Sequence, residues 1–141
     1  MRPAQCVVDA SAGVKLFVSE EHSDQVRALF ADPDAELHVP DLFFIECANV
    51  LWKKARRGEY SAEDALANLA DLNDIGLQVT STAELTEHAF EIASACDVTA
   101  YDACYAALAV ALSLPLVTAD ARLAARLAEK GYHAVVLESF M

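Results

Sequence analysis

Residues 99–120 read Thr-Ala-Tyr-Asp-Ala-Cys-Tyr-Ala-Ala-Leu-Ala-Val-Ala-Leu-Ser-Leu-Pro-Leu-Val-Thr-Ala-Asp. This run holds a helix start, an apolar helix, a short strand and an acid. Thr99 with Asp102 three residues on is a capping-box start, and the apolar run carries the helix to about Leu112. Leu116–Thr118 is a strand, and Asp120 follows it. Asp102 is the only charged residue between Asp97 and Asp120.

The same alternation extends outward in both directions. A strand is expected over Ala4–Val8, with helical segments near Ala12–Val18 and Ser23–Ala31. Glu36–Val39 is a short strand, and Pro40–Asp41 opens a long helix to Arg57. Ser61-x-x-Asp64 starts a helix to Asn73. Leu77–Thr80 is a strand, and Ser81-x-x-Glu84 starts a helix to about Ala95. Asp120–Lys130 is a helix and Ala134–Leu137 the last strand. Gly58 and Gly131 sit at C′ positions, just past helix ends. Strands that alternate with helices imply a parallel sheet covered on both faces, joined by right-handed crossovers. No linker or internal repeat divides the 141 residues, which form one domain of ordinary size.

Composition narrows the function classes. There are 22 Asp and Glu against 10 Lys and Arg, a net charge of −12, with 55% apolar residues. That much apolar content excludes a disordered acidic tail, and the charge opposes nucleic-acid binding over the whole surface. The four Cys have no CxxC spacing and read as core hydrophobes, their free thiols suiting a reducing cytoplasm. The four His form no zinc motif. No GxGxxG or GxxxxGK[ST] supports a nucleotide site. Ala103–Val117, the longest apolar stretch, is interrupted by Ser113 and Pro115 and is too short for a membrane span. No signal peptide opens the chain.

Four carboxylates stand out. Asp9 and Asp120 each follow an apolar strand, and ligands of parallel sheets bind beyond the carboxyl ends of strands. Either acid can instead be a helix N-cap. Glu46 lies in Leu-Phe-Phe-Ile-Glu-Cys-Ala-Asn-Val-Leu-Trp (42–52), a helix expected to be largely buried, where an unpartnered carboxylate is costly; pairing with a core Arg is the alternative. Asp102 can be the capping-box acid behind Thr99, a role compatible with ligation because a carboxylate has two oxygens. If the four converge, their mutual repulsion must be relieved by protons or a cation. Oxygen ligands without Cys or His favour Mg²⁺ or Mn²⁺, which points to phosphoryl transfer or hydrolysis.

These pieces, Val-Val-Asp9-Ala-Ser11, Pro40 to Glu46-x-x-Asn49-x-Leu51, Thr99-Ala-Tyr101-Asp102-Ala103 and Leu116-Val-Thr118-Ala-Asp120, resemble in order and spacing the PIN-domain family and its VapC-type toxins. The resemblance implies a three-layer α/β/α sandwich with a parallel, five-stranded sheet. It implies Mg²⁺- or Mn²⁺-dependent RNA cleavage leaving 5′-phosphate and 3′-hydroxyl ends. By position it makes Asp9 and Asp102 the principal metal ligands, with Glu46 completing the site and orienting water. Asp120 is the fourth acid, Thr118 the hydroxyl near the pocket, and Ser11 and Asn49 hydrogen-bond partners. It further implies a homodimer and a cognate antitoxin, for which an Arg-containing segment reaching the acidic pocket is the natural complement.

Basic residues near these positions, Lys15, Lys53 and Arg122, are candidate phosphate contacts. Lys53, Lys54, Arg56 and Arg57 also suit the negative end of their helix dipole. Other classes fit less well. A phospho-acceptor domain needs a Lys where Asp120 stands, and an aspartyl-nucleophile phosphatase needs DxD where Asp9-Ala-Ser11 stands. A nuclease outside any toxin pair, or a non-catalytic module gripping an Arg-rich partner, uses the same acids.

Overall fold

A computed structural model describes residues 3–139. Five parallel strands, β1 (Gln5–Val8), β2 (Glu36–Pro40), β3 (Gln78–Thr80), β4 (Leu116–Thr118) and β5 (Ala134–Val136), form one sheet in the order β3-β2-β1-β4-β5. The helices are α1 (Ala10–Gly13), α2 (Ser23–Ala31), α3 (Leu42–Arg56), α4 (Ala62–Asp74), α5 (Thr86–Cys96), α6 (Ala100–Leu112) and α7 (Ala121–Glu129). The expected five-stranded three-layer sandwich is present.

Its layers follow from the period-2 alternation of strands. In β1, Val7 faces one core, with Val39, Leu116 and residues of α3 to α7. Cys6 and Val8 face the other, closed by Val26 and Leu29 of α2 and by Leu137. All three β1 residues are fully buried, as expected of a central parallel strand. The α6 run Ala103–Ala109 is buried all round and packs on β1, β2 and β4. All four Cys are free and buried, and burial lifts the Cys6 and Cys47 thiols to about 12, which leaves them as unreactive core groups. No single helix among the described residues is long and apolar enough to cross a membrane.

Gly13 permits a close approach. A Cβ there would stand 2.6 Å from Cε1 and Cζ of the buried Phe43 ring, so α1 seats directly on α3. Gly58 and Gly131 take positive φ just past α3 and α7, as their C′ positions require.

Three local expectations differ from the structure. The first helix begins at Ala10 rather than Ala12, because Asp9 Oδ1 accepts the Ala12 N–H; it then tightens into a 3₁₀ turn over Val14–Leu16. Ser81 does not open an α-helix. Its hydroxyl accepts from Ala83 N–H, two residues on, which makes a 3₁₀ turn (Thr82–Glu84), and α5 starts at Thr86. Nor is α3 largely buried: Phe43, Cys47 and Leu51 face the core, whereas Ile45 and Trp52 are exposed.

Candidate active site

The chain crosses from the β1–β2–β3 half of the sheet to the β4–β5 half between β1 and β4, and a crevice forms beyond the carboxyl ends of strands at such a switch point. Val8 pairs with Val117, and Asp9 N–H donates to Val117 O at 3.1 Å. Asp9 and Asp120 therefore leave adjacent strands at the same edge. Glu46 comes from the second turn of α3, which follows β2, and Asp102 from the first turn of α6. All four acids line one cavity of about 770 Å³, together with Ser11, Asn49, Lys53, Trp52, Tyr101 and Tyr105.

Hydroxyl groups tie the two strand ends together. Ser11 Oγ donates to Asp9 Oδ1 at 2.7 Å, lies 3.3 Å from Thr118 Oγ1, and accepts the Ala119 N–H. Thr118 Oγ1, fully buried, accepts the Asp120 N–H at 3.0 Å. Both strand-end acids are N-caps as well: Asp9 Oδ1 takes the Ala12 N–H, and Asp120 Oδ1 takes the N–H groups of Arg122 and Leu123. Capping and pocket lining coexist because a carboxylate carries two oxygens. Thr99 Oγ1 accepts the Asp102 N–H at 3.1 Å, so the expected cap of α6 forms and leaves its acid facing the cavity.

Glu46 has a partner the sequence did not disclose. Tyr105 O–H donates to Glu46 Oε1 at 2.5 Å, and the Tyr105 ring is 1% exposed. Among the described residues no Arg pairs with Glu46. Two facts could have pointed to it: Tyr105 lies three residues after Asp102, on the same helix face, and a buried Tyr hydroxyl needs a hydrogen-bond partner.

Burial and repulsion both act on the acids. Burial lifts Asp9 to about 6; hydrogen bonds from Thr118, Ser11 and Ala12 pull against it, and the Asp102 charge adds to it. Glu46 is raised by burial, relieved in part by Tyr105, and raised again by Asp102. Asp102 is raised by burial and by Asp120, and lowered by Thr99. Asp102 thus sits at the electrical centre, repelling each of the other three. Among the described residues no three His, Cys, Asp or Glu side chains are close enough to cage one ion. The donor set itself is all carboxylate oxygen and short of compensating charge, which suits a hard divalent cation.

The candidate phosphate contacts separate. Lys53 lines the cavity. Lys15 does not; its ammonium pairs with Glu20 at 3.4 Å. Arg122 lines an adjoining groove that shares Asp102 and Asp120. Asn49 lines the cavity but donates to none of the four acids.

Residues 6–130 match the PIN domain family. The chain is 43% identical over 120 residues to Ribonuclease VapC3 of Pyrobaculum aerophilum, covering 84% of this chain and 91% of that protein. Its fold is similar to the crystal structure of PAE2754 from Pyrobaculum aerophilum, with TM-score 0.74 and 29% identity over 96% of this chain and 85% of that one. It also resembles a chain of a toxin–antitoxin complex from Klebsiella pneumoniae, with TM-score 0.62 and 15% identity over 94% and 97% of the two chains. From β1 through α7, and in the sheet edge where its four acids gather, the chain belongs to the PIN domain family, among its VapC-type members.

Proposed function

We propose that this protein is an Mg²⁺- or Mn²⁺-dependent endoribonuclease and the toxin half of a toxin–antitoxin pair. The observation that carries the reading is the gathering of Asp9, Glu46, Asp102 and Asp120 around one cavity at the sheet's switch point. The 43% identity to a protein named Ribonuclease VapC3 supports RNA as the substrate, and the likeness to a chain of a toxin–antitoxin complex agrees with the pairing.

Asp9 and Asp102 would hold the ion, with Glu46 and Asp120 at its margin. Mg²⁺ keeps several of its own waters and takes only one or two carboxylates directly, so it needs no cage of three. When bound, it supplies an activated water and charge neutralisation at the phosphate. Tyr105 takes one oxygen of Glu46, which leaves the other to orient the attacking water and receive its proton. The new O–P bond forms as the P–O3′ bond breaks, and the departing O3′ takes a proton from solvent water, giving a 5′-phosphate and a 3′-hydroxyl. Lys53 lies within the cavity, where its ammonium would offset the charge of an incoming phosphate. The acidic cavity also suits an Arg-bearing antitoxin segment.

The test is RNA cleavage by the purified protein with Mg²⁺ or Mn²⁺ and with chelator, for wild type and Asp9→Asn. Cleavage should vanish with chelator and fall at least about a hundredfold in the variant, a loss of the size expected for one charge-stabilising group. Equal cleavage by both proteins would overturn the mechanism.

A further inference from the structure

The cavity has an aromatic wall that hydrolysis does not itself require. Trp52 of α3 and Tyr101 of α6 both line it, and they are 55% and 63% exposed. They stand on the two helices that also carry Glu46 and Asp102. Trp52 lies six residues beyond Glu46, about 9 Å along the helix at 1.5 Å per residue, and Tyr101 directly precedes Asp102. The Arg56 guanidinium lies over the Trp52 ring, 5.5 Å from its centroid, and Lys53 lines the same cavity.

We propose that Trp52 and Tyr101 are stacking platforms for unpaired RNA bases beside the cleaved phosphodiester, with Lys53 and Arg56 serving the flanking phosphates. This rests on the ribonuclease reading above and assigns the residues that hold the bases beside the cut.

Electrostatics explains why the platform is needed. The protein is net −12 and its cavity floor is carboxylate, so phosphate attraction cannot bring RNA in unaided. Stacking on aromatic faces is independent of charge, tolerates every base, and combines with local cations in single-strand binding. A paired base keeps its faces within the helical stack, whereas a splayed one offers them to a ring. The surroundings favour this occupant over a second copy of the chain. Lys53, Arg56 and the carboxylates of Glu46 and Asp102 border the rings, and the cores of protein interfaces are depleted of such charges.

Trp52 is the only tryptophan, so intrinsic fluorescence reports on this ring alone. The wild-type protein, with chelator present to prevent cleavage, is titrated with a short single-stranded oligoribonucleotide and separately with its duplex. The single strand should quench emission and the duplex should not. By anisotropy of the labelled single strand, Trp52→Ala and Tyr101→Ala should each bind about tenfold more weakly, with unchanged circular dichroism. Binding without quenching, equal quenching by duplex, or unaltered affinity in both variants would overturn the proposal. So would emission that shifts to the blue with protein concentration, with sedimentation showing a dimer, and ignores RNA; the ring would then be covered by a second copy. If wild type cleaves RNA with Mn²⁺ while any of these holds, only the stacking role fails. If wild type neither cleaves nor binds RNA, the ribonuclease reading fails with it.

Discussion

Asp9 is a carboxylate held where water barely reaches it, and its protonation is coupled to stability. Its folded value of about 6 lies above its ordinary 3.8. Between those values the folded protein keeps a proton that the unfolded chain has released, so stability falls as pH rises through the window and stays low above it. Glu46 and Asp102 are shifted in the same direction. Asp9→Asn retains an oxygen for the Ala12 N–H and loses the charge. In chelator it should be more stable than wild type at neutral pH, by up to roughly 3 kcal/mol, and the advantage should shrink toward about pH 4. Urea melts across this range measure it. Tyr105→Phe removes the donor that holds Glu46, so it should raise the Glu46 pKa further. The acidic limb of the cleavage profile should move to higher pH and the rate should fall about tenfold. The folding cost should stay near 1 kcal/mol, the worth of one hydrogen bond.

At the scale of elements, caps and acids share residues, and substitutions can separate the two roles. Asp120 caps α7 through Oδ1. Asp120→Asn preserves an acceptor there and should leave the melting temperature nearly unchanged while cleavage falls. Asp120→Ala should cost about 1 kcal/mol in addition; thermal melts beside cleavage assays distinguish them. The seat of α1 on α3 depends on Gly13, whose added Cβ would meet the buried Phe43 ring at 2.6 Å. Gly13→Ala should lower stability by about 1–3 kcal/mol through overpacking, despite the better helix propensity of Ala. Because α1 follows Asp9 and α3 carries Glu46, the variant should also cleave more slowly than its stability loss alone explains.

For the whole molecule, the site concentrates like charge at one edge of a protein that is already strongly acidic. Anything that neutralises this edge in the folded state alone stabilises the fold by mass action, about 2.7 kcal/mol at a hundredfold excess over Kd. Adding Mn²⁺ should therefore raise the melting temperature of wild type by several degrees. It should do little for the Asp9→Asn and Asp102→Asn double variant. Equal shifts in both would mean that the ion binds elsewhere. RNA affinity should also fall less steeply with salt than for a basic nuclease, because few phosphates meet Lys or Arg.

Local chemistry in the sequence was enough for the architecture. The alternation of β1, β2 and β4 with helices, the Thr99 and Ser61 caps, and the C′ glycines announce a parallel α/β fold, because each signal acts over a few residues. The four acids were legible for the same reason, as charges standing where apolar patterns end or continue. Tertiary structure decided what they meet. Only the pairing of β1 with β4 sets Asp9 beside Asp120, only the approach of α6 to α3 brings Tyr105 to Glu46, and only the packed surface leaves Trp52 and Tyr101 in one cavity. These contacts join residues tens of positions apart, and periodicity carries no information over that range.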